Sequence, residues 1–499
     1  MLVVAAVAVV MLIPVLFVVT VAVQTGWQGL APLLLRPKVG ELLVNTVLLV
    51  FLGAPLCVTV GVGSAWLVER SDLPGRNVWG VLLAAPLAVP AFVSSYAWVS
   101  VVPSIGGLGG GLLISTLAYA PLVYLPALAA LRGLDPALED TARSMGLGPC
   151  AVFGRVVLPQ LRLAVWGGGL VVALHLLAEY GAFAMIRFNT FTTAIMVQFR
   201  SSFAGPAANA LGIALTVLCL IVLVVEGSTR GNLRYARIGS GAAGQPTRAA
   251  LGPATVPTVV VLVGWVAAGV GVPLAAISGW LSIGNPWAQR EIPQAALTTL
   301  ALGIVGAVVT IIVAAPAAWL TVRHPGRGAR LLEGAGYLAS SLPGIIIALA
   351  LVTVTIRLAP PLYQTVSTVV VAYAIMFMPR AMVSLRSGLA QAPPSLEEAA
   401  RALGLSPFMS RVRVTLPVIA PSAAAGAALV ALGLANELTA TLLLAPNGTR
   451  TLATEFWSAS SSVAYSNAAP YALLLILASV PAVAILLAQT RGTSQRIMP

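Results

Sequence analysis

Two stretches of this chain set acidic, small and glycine residues at matching intervals. One runs Glu397-Glu398-Ala399-Ala400, then three residues, Gly404, nine residues and Val414-Thr415-Leu416-Pro417. The other runs Glu139-Asp140-Thr141-Ala142, then three residues, Gly146, nine residues and Val156-Val157-Leu158-Pro159. Their chemistry is recognition rather than catalysis. The chain has 2 histidines, and no Ser-His-Asp set, His-Glu-x-x-His or clustered acidic pair accompanies them, so no catalytic residue is expected. Lys38 is the sole lysine, which excludes a Gly-x-x-x-x-Gly-Lys phosphate loop and with it ATP hydrolysis by this chain. Cys57, Cys150 and Cys219 stand far apart without a Cys-x-x-Cys spacing, so neither a disulfide framework nor a metal site is expected.

Each stretch predicts a short helix. Asp135-Pro136 supplies a cap and a first-turn proline for one copy, while Ser395 three residues before Glu398 predicts a capping box for the other. Leu138, Ala142 and Met145 fall on one stripe, as do Leu396, Ala400 and Leu403, and the glycine that follows can take the left-handed conformation that ends a helix. Such a helix cannot bury its stripe against its own chain alone, so it suits a groove on a partner. An amphipathic connector is the bland alternative. Two copies, each in register with a distant Leu-Pro, argue against it.

The elements that must carry these segments are membrane helices. Of 499 residues, 59% are hydrophobic and 8% charged, with a mean hydropathy of +0.99, which excludes a water-soluble fold. The net charge of +13 lies in short clusters between long apolar runs, a topological signal rather than a nucleic-acid footprint. Apolar runs fall at about 2–23, 42–68, 78–102, 111–131, 163–186 and 207–227, and again at about 255–278, 294–321, 333–357, 364–385, 421–445 and 470–489. This predicts an all-α membrane protein with twelve transmembrane helices in two parallel six-helix repeats: a first half over 1–227, a cytoplasmic linker over 228–252 and a second half over 253–499. The first run lacks a positive n-region and reads as a retained helix.

The halves superimpose residue on residue. Ala65-Trp66-Leu67 falls on Ala318-Trp319-Leu320, Val89-Pro90 on Leu342-Pro343, Leu158-Pro159 on Leu416-Pro417 and Glu179 on Glu437. An even number of helices per half keeps both halves in one orientation, the parallel type of repeat. With both termini in the cytoplasm, most of the 27 basic residues lie inside, including those of the two matched segments at about 132–162 and 386–420.

Glu179 and Glu437 read as deep in the fifth helix of each half, about 24 Å from its inner end. A charge at that depth costs roughly 2.5–3.5 kcal/mol on insertion scales, so each must face a cavity or a partner. Two such carboxylates could line a cation path, or each could be an interhelical tie. His175, one turn before Glu179, has Gly433 as its counterpart, so symmetry does not support a metal site there. An interhelical hydrogen bond is the favoured reading of that histidine.

The paired segments resemble the EAA loops of permease subunits in binding-protein-dependent ABC importers. The first copy departs from the signature at Asp140 and Thr141. The stretch holding Ala178-Glu179-Tyr180-Gly181-Ala182-Phe183 and Phe188-Asn189-Thr190-Phe191-Thr192-Thr193-Ala194, together with Ala65-Trp66-Leu67-Val68-Glu69-Arg70 and Leu87-Ala88-Val89-Pro90-Ala91-Phe92-Val93, resembles fused, two-half ferric iron permeases. The resemblance implies the type I ABC importer permease fold in a multi-pass protein of the bacterial inner membrane. It further implies two copies of a separate ABC ATPase that use ATP and Mg, an extracytoplasmic ferric-binding protein, and no cofactor on this chain. Glu139, Asp140, Ala142, Gly146, Glu397, Glu398, Ala399, Ala400 and Gly404 would couple to the ATPase, and Glu179, Tyr180 and Glu437 would line the path. Thiamine and phosphonate importers share this layout. A proton-coupled twelve-helix facilitator is the alternative from another class, and it has no reason to carry paired EAA loops.

Overall fold

An apolar chain in a bilayer has no water to satisfy its backbone, and helices meet that demand within one segment. The computed structural model describes residues 2–202, 205–230, 248–324 and 326–495, which are helical apart from turns, loops and one parallel bridge between Ser71 and Ala249. Of the linker expected over 228–252, residues 231–247 lie outside the described residues.

The first eleven helices are α1 (Leu2–Leu34, interrupted at Gly26), α2 (Pro37–Arg70), α3 (Arg76–Leu82), α4 (Ala91–Val101), α5 (Gly107–Gly133), α6 (Pro136–Ser144), α7 (Pro149–Val152), α8 (Leu158–Ala178), α9 (Gly181–Met185), α10 (Phe191–Ser202) and α11 (Gly205–Arg230). Then follow α12 (Thr255–Val266), α13 (Val272–Leu281), α14 (Glu291–Arg323), α15 (Arg327–Ser341), α16 (Gly344–Leu358), α17 (Val366–Ala390), α18 (Pro394–Ala402), α19 (Pro407–Ser410), α20 (Leu416–Ala435), α21 (Thr439–Leu444), α22 (Leu452–Ser461) and α23 (Tyr465–Gln495). The order repeats helix for helix. Helices α2 to α11 return as α14 to α23, and α1 returns as α12 and α13 joined by a π-helical turn, Ala267–Gly271.

Ten helices among the described residues are long and apolar enough to cross a membrane, or eleven if a bent pair counts as one span. The difference from twelve arises at the third span of each half. Proline disfavours helical backbone at the residue before it. Val89 accordingly turns extended (ψ 109°) ahead of Pro90, and Leu342 (ψ 134°) ahead of Pro343. The expected helix over 78–102 is therefore a pair bent by 88°, and the one over 333–357 is α15 followed by the shorter apolar α16.

The described residues form two compact units that cut across the sequence repeat. One is drawn from Pro37–Ala194, Val217–Asn285 and Ser479–Pro499. At its centre α2, α5 and α8 pack on one another, and α4 packs on α9 and α13. Gly61 permits the closest approach there, since a Cβ would stand 2.8 Å from the Cβ of Val123. The other unit is drawn from Met1–Arg36, Ile195–Thr216 and Pro286–Ala478, with α14, α17 and α20 at its centre and α16 packed on α21 and α1. The opening helix of each sequence half thus belongs to the unit built mainly from the other half. Both openings are apolar nearly all round, so no stripe in the sequence names their neighbours.

Each centre is fastened the same way at one end. Thr46 Oγ1 of α2 accepts the Phe191 amide at 3.3 Å, and Thr299 Oγ1 of α14 accepts the Leu452 amide at 2.8 Å, so each hydroxyl satisfies an orphan donor at a helix start.

Candidate coupling site

The two matched segments fold as short helices, α6 and α18, each closed by a glycine with positive φ. Gly146 has φ 86° and Gly404 φ 90°, and no atom lies within 4 Å of where either Cβ would stand. Backbone conformation, not crowding, therefore demands glycine. The Leu147 amide reaches Ala142 O at 3.2 Å and the Leu405 amide reaches Ala400 O at 3.1 Å, the long hydrogen bond of a Schellman ending. After each turn come α7 and α19, then a matched π-helical turn at Phe153–Val157 and Arg411–Thr415.

The starts of the two helices differ. Asp135 caps α6 as expected, accepting the Ala137 amide at 3.0 Å. The capping box expected at Ser395 does not form. Pro394 already supplies a helical φ at the first position, so α18 begins there behind Pro393, and Ser395 falls inside the first turn without a side-chain cap.

The apolar stripes divide between two environments. Ala142 and Ala400 are buried within their own unit, whereas Met145 and Leu403 are 71% and 86% exposed and Leu138 and Leu396 are exposed beside them. The acids divide likewise. Asp140, Glu398 and Ala399 are exposed, but Glu139 and Glu397, expected among the coupling contacts, are buried. Sequence position on a nine-residue helix could not settle which of two adjacent acids turns inward; the location of a cation did.

That cation is the last residue of α2 or α14. Arg70 Nε donates to Glu139 Oε1 at 2.8 Å, with both side chains at most 4% exposed, and a second guanidinium nitrogen donates to Leu131 O at 2.8 Å. Arg323 lies 3.3 Å from Glu397 Oε1 and also donates to Ala392 O. Thr415 Oγ1 donates to the same Glu397 oxygen at 2.8 Å, and Ser410 Oγ donates to Glu397 O at 3.2 Å. Sequence reasoning missed Arg70, Arg323, Thr415 and Ser410 as partners. The signal was present, since Arg70 and Arg323 correspond in the same register as Trp66 and Trp319.

The membrane carboxylates do not sit inside a helix. Glu179 follows the last residue of α8 with extended backbone (ψ 122°), and Glu437 lies between α20 and α21. Each caps the short helix ahead of it: Glu179 Oε1 accepts the Ala182 amide at 2.8 Å, and Glu437 Oε1 accepts the Ala440 amide at 3.0 Å. Tyr119 Oη donates to Glu179 Oε2 at 2.5 Å, tying α5 to this break, and Tyr180 is buried. His175 Nδ1 stands 2.8 Å from Val171 O of its own helix, while its ring packs 5.4 Å from that of Tyr119. The ring contact joins His175 to α5. Arg380 lies within α17, where its guanidinium sits 4.9 Å over the Phe377 ring.

Two sets of repeated apolar helices, each interrupted by a short helix that ends at a left-handed glycine, are the layout of a transport permease. The family of binding-protein-dependent transport system inner membrane components matches residues 306–498. The Fe(3+)-transport system permease protein FbpB 2 of Haemophilus influenzae is 35% identical over 485 residues, covering 94% of this chain and 93% of the relative. Sulfate transport system permease proteins align with less of it: CysW of Synechocystis is 26% identical over 36% of this chain and 73% of its own length, and CysT of Salmonella typhimurium is 26% identical over 44% and 86%. The chain belongs to this family of binding-protein-dependent permeases. It is a multi-pass inner-membrane transport subunit, not an enzyme, and the facilitator alternative falls away.

Proposed function

We propose that this chain is the membrane path of an ATP-driven ferric iron importer. An extracytoplasmic binding protein delivers the cargo, and two copies of an ABC ATPase, using ATP and Mg, dock on α6 and α18. The observation that carries the reading is the pair of docking helices, each ending at a left-handed glycine and each presenting an exposed acid, Asp140 or Glu398, beside exposed apolar side chains, Leu138 and Met145 or Leu396 and Leu403. Iron is preferred to sulfate, thiamine or a phosphonate because the ferric relative aligns along nearly the whole chain. Asp140, Glu398 and Ala399 would touch the ATPase, while Ala142, Ala400, Gly146 and Gly404 would shape the surface. Glu179, Tyr180 and Glu437 would border the path at breaks in the spans, the kind of place where irregular backbone is tolerated at membrane depth.

Both termini and both docking helices would face the cytoplasm. The test is purification of the chain with its ATPase after gentle solubilisation, then uptake of radiolabelled ferric iron into vesicles with sulfate, thiamine and phosphonate as competitors. Iron uptake that needs ATP, with no effect of the competitors, is expected; competition by one of them would reassign the cargo. Exposed Cys150, beside α6, reports the orientation. A membrane-impermeant maleimide should modify it in inverted vesicles and not in intact cells, and rapid labelling of intact cells would reverse the topology.

A further inference from the structure

We propose that the Arg70–Glu139 and Arg323–Glu397 pairs are the joints through which a docked ATPase moves the membrane helices. The inference rests on the reading that α6 and α18 receive the ATPase, and it assigns Glu139 and Glu397 a positioning role in place of a docking contact. Neither carboxylate can touch a partner from its present position, because both are buried.

The covalent connections of the docking helices are poor transmitters. Each ends at a glycine turn, and α6 and α18 pack against the short α7 and α19 and the π-helical turns that follow them. What joins α6 to α2 is the Arg70–Glu139 pair, and what joins α18 to α14 is the Arg323–Glu397 pair. Each arginine is the terminal residue of a helix of 34 or 33 residues that lies at the centre of its unit, against α5 and α8 or against α17 and α20. A push on the docking helix is thereby delivered to the end of a long lever.

An ion pair suits such a joint better than an apolar contact. Apolar surfaces can slide at little cost, whereas a charge-assisted hydrogen bond fixes distance and direction together and is stronger where water is excluded. Arg70 and Arg323 each also grip a main-chain carbonyl, of Leu131 or Ala392, so both hold the chain leading into the docking helix. The ion pair occurs in both halves at corresponding positions, whereas the carbonyl differs, since Leu131 corresponds to Leu389.

The test uses the full chain with Cys57, Cys150 and Cys219 replaced by Ser, carrying spin labels at Ile312 on α14 and Arg401 on α18, both exposed. Without the label sites, the same variants are assembled with the ATPase and the binding protein in vesicles. For Glu397→Gln the label distance distribution should broaden and iron uptake per ATP hydrolysed should fall about tenfold, within the usual span of site-to-site coupling. The ATPase should still co-purify. Arg323→Lys, which keeps the charge, should be intermediate, and it decides the matter if Glu397→Gln fails to accumulate. A sharp distance distribution with normal uptake per ATP would overturn the joint, as would loss of the ATPase with a sharp distribution, which would make Glu397 a docking contact. If the unsubstituted chain binds no ATPase, the docking reading falls, while the label distances still report on the pair.

Discussion

The two coupling segments share a backbone and differ in what surrounds their buried acid. Beneath Glu139 the first copy is apolar: Val152 and Val157 are buried there, and Trp66 meets Phe153 edge-on with ring centroids 5.8 Å apart. In the second copy the corresponding residues are Ser410, Thr415 and Arg411. Ser410 and Thr415 both donate to Glu397, and Trp319 lies 5.3 Å from each of the guanidinium groups of Arg323 and Arg411. A tight ion pair with Arg70 and a longer one with Arg143, at 3.8 Å, hold the first acid, while Arg323 and the Thr415 hydroxyl share the second carboxylate. A duplicated segment can thus keep one geometry on different chemistry, provided each buried charge is compensated.

The first segment also has a brace of its own. The Ala249 amide donates to Arg70 O at 2.8 Å, the Asp72 amide to Ala249 O at 3.1 Å, and Asp72 Oδ1 accepts the Leu251 amide at 2.8 Å. The end of the linker is therefore strapped to the chain at the arginine of the first ion pair.

The sharpest way to break the comparison is to strand each acid. Arg70→Met leaves Glu139 only the longer contact with the partly exposed Arg143, 3.8 Å away, and should cost up to about 3–5 kcal/mol, the usual loss when one partner of a buried pair is removed. Arg323→Met should cost less, because the Thr415 hydroxyl still donates to the Glu397 carboxylate while Ser410 holds its main-chain carbonyl. Thermal unfolding of both variants in detergent measures the difference, and equal losses would mean that the Thr415 hydroxyl shares none of the load.

A second experiment separates backbone strain from docking contact. Gly146→Val and Gly404→Val force a β-branched residue into the left-handed region, at a cost of about 1–2 kcal/mol each. Their φ values are alike and neither position is crowded, so the stability loss should match. Any larger defect of Gly404→Val in ATPase pull-down then belongs to the docking surface, where the second copy keeps Glu-Ala-Ala. Equal pull-down defects would show that the departures at Asp140 and Thr141 do not matter.

The smallest expected effect tests the brace. Asp72→Ala removes an exposed hydrogen bond and should cost at most about 1 kcal/mol. Hydrogen exchange should quicken at the Leu251 amide and leave α18 unchanged; exchange that also rises across α18 would mean that the strap serves both segments.

The sequence by itself determined the class of this molecule and much of its plan. Apolar length forces helices in a bilayer, the register of Trp66 with Trp319 and of Leu158-Pro159 with Leu416-Pro417 exposes the repeat, and Gly146 and Gly404 could be read as left-handed turns before any coordinate. Those are local facts, set by composition and by single-residue conformational limits. Tertiary structure alone decided which neighbours each element takes. It placed α1 against α15 and α16, turned Glu139 and Glu397 inward, and set Glu179 and Glu437 at helix breaks. The physical reason is one throughout. An apolar helix face fits many partners, and two adjacent carboxylates on a short helix are equivalent until a guanidinium from a residue some seventy positions away removes one of them from water.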